Sequence, residues 1–272
     1  MFQLFNIYHL IYIFITLVIF TLLDRFLIKM SNEKQFKFLY GLTIVNFIIH
    51  FMKVLVEFEL SLSSKIYRIA LTNLCAVNTF IYPFVLKFKN KILVNFLEFI
   101  GFFSGVVALV FCYDLNGTEP FILSNIRYWF THFILMFVSF ELIRTKQVKY
   151  DYRNVWYFYF LFFIEQIIIY LNDYILFVTN IIDRIDYSNG AFTYGIRESV
   201  LPYLGFVNYI IPSFLYQDGV YTPVLWMITP MILVLIVAFI ISVTLIDRKH
   251  FVEDFKKFKE KIKQKRSVKD TK

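Results

Sequence analysis

The chain has 272 residues, of which 59% are hydrophobic and 18% charged, with a formal net charge of +8. That balance excludes an ordinary soluble domain, and two cysteines exclude a disulfide-stapled extracellular module. The apolar residues gather into runs near the roughly 20 residues a helix needs to cross about 30 Å of hydrocarbon.

Seven spans are expected, over about 7–28, 36–58, 66–86, 92–113, 124–143, 154–181 and 223–246, in an all-α polytopic bundle. The opening "MFQLFNIYHLIYIFITLVIF" lacks a basic leader and a small-residue cleavage site, so it reads as a retained first span. Phe, Ile, Tyr, Lys and Asn are abundant while Ala and Gly are scarce, a bias that AT-rich codons produce, and most Phe residues read as lipid-facing. Lys and Arg number four in the first loop (Arg25, Lys29, Lys34, Lys37), three in the third (Lys87, Lys89, Lys91), four in the fifth (Arg144, Lys146, Lys149, Arg153) and eleven from Arg248 onward. The alternate segments hold only Lys65, Arg68, Arg127, Arg184 and Arg197. The positive-inside rule therefore places the N-terminus outside and the C-terminus in the cytoplasm. A cell membrane, the plasma membrane of a bacterium, is the expected location.

Spans 1–246 form the membrane domain and 247–272 a basic tail. In the tail Phe251, Phe255, Phe258 and Ile262 recur at helical spacing beside a lysine-rich face. Two readings stay open: a helix lying on anionic inner-leaflet lipids, or a solvated basic tail. Nucleic acid is not an expected partner. Segment 182–222 is the one long connection, and its stretch 200–216, with Pro202, Gly205 and Pro212, is expected to be re-entrant or interfacial over the outer face. No phosphate-binding glycine loop and no metal-ligand spacing occur, and neither a cofactor nor a metal is expected.

Polar residues inside spans are costly and mark candidate sites. Counted at about 1.5 Å per residue, Cys75 in span three and His132 in span five fall at similar depth below the outer edge, and His50 in span two shares that layer. Asn73, Asn78 and Thr79 surround Cys75; Glu165 and Asn172 lie seven residues apart on one face of span six, near Gln166 and Asp173. A buried thiol needs a base to become a nucleophile, which His132 or His50 supplies, and such a set supports acyl transfer through a thioester. The structural alternatives are a packed Cys75, histidines bonded across helices, and a salt bridge between Glu165 and Lys53.

"NLCAVNTFIYPF" (73–84), "GFFSGVVALVFCYDL" (101–115) and "RYWFTHFILMFVSFELI" (127–143) resemble, in order and spacing, three blocks of the YwaF-like integral membrane proteins related to the eukaryotic transmembrane protein 164. The resemblance rests on Leu74-Cys75, on Gly105 with Asp114-Leu115, and on Trp129 leading to His132. "HLIYIF" from His9, Asn172 with Tyr174, and "LGFVNYI" (204–210) echo weaker blocks. It implies a multi-span lipid acyltransferase with Cys75 as nucleophile and His132 as base, similar also to the androgen-induced lipid-ester hydrolases, in which Thr replaces Cys. The chain departs from the pattern at Leu71, Asn73 and Ala76 around the cysteine and at Tyr113 before Asp114. The competing expectation is a solute-binding membrane subunit or small transporter, in which Cys75, His132, His50, Asn73, Asn78, Glu165 and Asn172 line a polar cavity. A scaffold for other membrane proteins is a third.

Overall fold

The computed structural model describes residues 1–56, 61–112, 115–183, 191–196 and 204–270. Asp114, the end of the second span at 57–58, Arg184, Arg197 and residues 200–203 of the outer segment lie outside them.

The described chain is mostly helical: α1 (Ile7–Ile28), α2 (Asn32–Val56), α3 (Leu62–Ile69), α4 (Leu74–Phe88), α5 (Lys91–Val110), α6 (Leu123–Arg144), α7 (Val155–Val178), α8 (Ile228–Ile241) and α9 (Arg248–Asp270). Six stretches are long and apolar enough to cross a membrane, and α3 with α4 forms a seventh that is bent by 63°. This is an all-α polytopic membrane protein. Much of the outer surface is apolar: α1 buries only His9, Tyr12 and Leu27 and exposes Leu10, Phe14, Leu17 and Leu22, the surface that a hydrocarbon solvent requires.

Helix ends follow local chemistry. Asn6, Asn73 and Asn90 open α1, α4 and α5, each accepting a first-turn N–H through its side-chain oxygen. The third span is the main departure from expectation. Instead of one helix over 66–86, α3 stops at Ile69, the chain turns through residues 70–73, and Asn73 starts α4 afresh.

The tightest seam joins α5 to α6. Gly101 and Gly105 share one face of α5, and a Cβ on Gly105 would lie 2.8 Å from both the His132 carbonyl and the Met136 N–H nitrogen. Without a hydrophobic drive between helices in lipid, close backbone approach at small residues supplies the packing. At the C-terminal end of α6 Glu141, wholly buried, meets Arg144, whose Nη2 also lies 2.6 Å from Asp24 of α1. Arg144→Met leaves that buried carboxylate uncompensated. After a discount for the partial exposure of Arg144, a loss of about 2 kcal/mol is expected, read as a lower melting temperature in detergent that Arg144→Lys partly restores.

The connection between α7 and α8 is built, in its described parts, of short pieces. In residues 191–196, Ala191 packs against Val77 of α4 and Ile169 of α7. Thr193 Oγ1 donates to Gln166 Oε1 at 2.9 Å, and the Trp226 indole N–H donates to the Phe192 carbonyl at 3.0 Å. Beyond Leu204 come single 3₁₀ turns, Gly205–Tyr209 and Ser213–Leu215, then a two-stranded hairpin, β1 (Tyr216–Gln217) with β2 (Val220–Tyr221).

Candidate functional site

The break in the third span organises the site. The exposed carbonyl of Ile69, the last residue of α3, accepts a hydrogen bond from His50 Nε2 of α2 at 2.9 Å. An imidazole that donates through Nε2 keeps its lone pair on Nδ1. After the turn, Asn73 Oδ1 accepts the Ala76 N–H at 2.8 Å, so the side chain expected to bind substrate serves as the cap of α4. Cys75 is therefore not nine residues into an unbroken helix. It occupies the first turn of α4, partly exposed, beside the N–H groups that a helix start leaves without intrahelical acceptors. Such an end favours negative charge.

A second clip joins α4 to α6 through α2. The Asn46 amide Nδ2 donates at 3.3 Å to both Thr79 Oγ1 and the Thr131 carbonyl, and one turn deeper Tyr82 and Ser139 share a hydrogen bond of 3.0 Å. The helices run parallel, so these cross-links fix their relative depth. Carrying 79↔131 back four residues pairs Cys75 with position 127, and carrying 82↔139 back seven pairs it with 132. Cys75 thus lies level with the stretch from Arg127 to His132. His50 lies four residues beyond Asn46 on the antiparallel α2, in the same layer.

His132 is held from two sides. Its Nδ1 contacts the Tyr128 carbonyl at 2.7 Å, its ring packs on the Tyr128 ring with centroids 4.2 Å apart, and its own carbonyl abuts Gly105. A carbonyl only accepts, so Nδ1 carries the proton and Nε2 the lone pair.

The remaining candidates form a neighbouring group on α4 and α7. Asn78 is wholly buried, and neither atom of its amide has a hydrogen-bond partner; the same holds for both oxygens of Glu165, 2% exposed. Glu165 therefore forms no salt bridge with Lys53. Asn172 sits one face along from Glu165, half-buried, with its Nδ2 also lacking a hydrogen bond. The packing of Val77 on Ile169 joins this group to the Cys75 helix. The void lined by Thr43, Asn46, Thr79, Tyr82, Ile134, Leu135 and Val138 is too narrow to admit water.

Sequence reasoning missed Asn46, Tyr128 and the helix break. Thr72-Asn73 directly before an apolar run was the available signal for a fresh helix start. Asn73→Ala removes the cap, and about 1 kcal/mol of stability should be lost. Faster amide exchange confined to the first turn of α4 would check this; uniform protection equal to wild type would contradict it.

Near the start of α7 and of α9, Asp151, Asp247 and His250 bring three ligand-type atoms within 4.8 Å. The Arg153 guanidinium holds Asp151, keeping its carboxyl below the usual carboxylate range. Asp247 Oδ2 accepts from the Tyr152 N–H at 3.1 Å and lies 3.2 Å from His250 Nδ1. The set works as a latch between α9 and the start of α7.

No curated protein and no solved structure matches the chain. The profile of the TMEM164 family matches residues 2–241, which takes in α1 through α8 and every candidate residue of the layer around Cys75. The chain therefore belongs to the TMEM164 family.

Proposed function

We propose that the protein is an intramembrane acyltransferase or lipid-ester hydrolase acting on phospholipid acyl chains, with Cys75 as nucleophile and His132 as its base. The observation that carries the reading is the shared level of Cys75, in the first turn of a half-helix, and a histidine whose Nε2 holds the lone pair. In this reading His132 Nε2 takes the proton from Cys75 Sγ as sulfur bonds to the ester carbonyl carbon. Negative charge that develops on the carbonyl oxygen is met by the start of α4. Collapse breaks the ester C–O bond, His132 returns the proton to the departing lysolipid oxygen, and a thioester remains. A second hydroxyl, from a lysolipid or water, then loses its proton to His132 and attacks the thioester. The acyl chain leaves on that oxygen and the proton returns to sulfur.

His50, by holding Ile69, keeps the break open at the level of the thiol, and Asn78, Glu165 and Asn172 offer polar groups to a lipid headgroup or glycerol. The charge asymmetry of the loops supports an N-terminus outside and a tail in the cytoplasm. The test is acyl exchange in nanodiscs carrying labelled phospholipid. Exchange by Cys75→Ala protein at the wild-type rate would sink the proposal.

One observation favours a second reading, a solute-binding membrane subunit. Glu165 and Asn78 are buried with unpartnered polar atoms, an arrangement that a bound polar solute relieves. Tight binding of a water-soluble molecule that survives alkylation of Cys75 would establish it instead.

A further inference from the structure

The tail helix α9 follows the last span directly, and its first turns are fastened to the bundle. The Tyr152 hydroxyl donates to Asp254 at 2.9 Å, Asp247 receives the Tyr152 N–H, and the Phe251 ring packs edge-on against Tyr152 and Phe239. Past this latch the apolar stripe continues along an exposed face: Phe255 is 48% exposed and Phe258 59%. At about 100° per residue, Phe251, Phe255, Phe258 and Ile262 fall within about 60° of one another. Lys256, Lys259 and Lys263 flank the stripe on one side, and Lys257 and Lys261 on the other. Glu253 and Glu260 lie about opposite. One of these lysines, Lys259, already lies over the Phe255 ring, 4.8 Å from its centroid.

We infer that α9 is a membrane-surface helix whose partner is the anionic headgroup layer at the inner face. A solvated helix gains nothing from segregating its rings, and a helix packed on protein has no need of cations on both shoulders. A bilayer accepts the stripe at the acyl boundary, pairs both rows of lysines with phosphates, and leaves the acidic residues in water. The latch fits the same partner, because it holds the first turn where α8 leaves the hydrocarbon. This inference does not depend on the proposed chemistry at Cys75.

Amide exchange of the full chain in nanodiscs provides the test, comparing phosphatidylcholine alone with a mixture containing phosphatidylglycerol at low salt. Residues 255–264 should exchange at least about tenfold more slowly in the anionic discs, because a free helix of this length is marginal in water. The difference should vanish in the K256Q/K257Q/K259Q/K263Q variant and at high salt, while α5 and α6 keep their protection. Equal exchange in the two membranes would overturn the inference, whether fast, as in a solvated tail, or slow, as in a helix packed on protein.

Discussion

Cys75→Ser and His132→Gln proteins are each expected to transfer acyl chains at least about 10²-fold more slowly than wild type, and the double variant no more slowly than the worse single one. General-base activation of a positioned nucleophile contributes about 10²–10⁴-fold, and a hydroxyl is a poorer nucleophile than a thiol unless a base activates it. Groups that act as one unit lose their whole contribution when either is removed, so the effects do not add. Single-turnover labelling gives a second readout: a thioester on Cys75 should accumulate with a slow acceptor and be absent from the His132→Gln protein. Multiplicative losses in the double variant would mean that the two residues act separately, and would move the base to His50.

The largest effect on stability is expected at Gly105. A leucine there drives its Cβ against the His132 carbonyl and the Met136 nitrogen, both main-chain atoms that no rotamer change can move aside. The two helices must part, and the expected cost is about 3 kcal/mol or more, seen as a large drop in melting temperature or as failure to fold in mild detergent. Gly105→Ala should lose less but still register. Gly41→Ala on α2 is the control, since nothing lies within 4 Å of its Cβ position, and helix propensity alone predicts a neutral or slightly stabilising change. If Gly105→Leu melted with wild type, the seam would not be the tight contact described.

The spans were legible because apolar length is a strong signal and bilayer thickness leaves few alternatives. The break in the third span was not, since Ile66, Tyr67, Ile69 and Leu71 keep the run apolar up to Thr72 and hide a boundary marked only by a capping residue. The depth count for Cys75, His50 and His132 assumed an unbroken third span, whereas the relative depth of α2, α4 and α6 is set by the bonds of Asn46 with Thr79 and of Tyr82 with Ser139. What no pattern could disclose were the acceptors. His9, His50, Asn46 and His132 all bond to main-chain carbonyls, of Leu109, Ile69, Thr131 and Tyr128. A carbonyl carries no residue identity, so the partner of a buried imidazole leaves no trace in the chain. The spacing of Gly101 and Gly105 was open to view as G-x-x-x-G, but its meaning depended on which helix lay opposite.

The first helix has a consequence for biogenesis. Its polar contacts with the bundle include His9 Nε2 to the Leu109 carbonyl at 3.0 Å, the Tyr12 hydroxyl to the Pro120 carbonyl at 2.8 Å, and Asp24 to Arg144. His9 and its acceptor lie 100 residues apart. At a synthesis rate of about 5–20 residues per second, α1 waits about 5–20 s before that partner exists. Until then its imidazole sits in lipid without its native acceptor, while Gln35 of α2 already holds the far end of the helix at the Leu27 carbonyl. The N-terminal half of α1 is thus secured late, and slowed translation between residues 30 and 110 would prolong its exposure to misassembly and to membrane quality control.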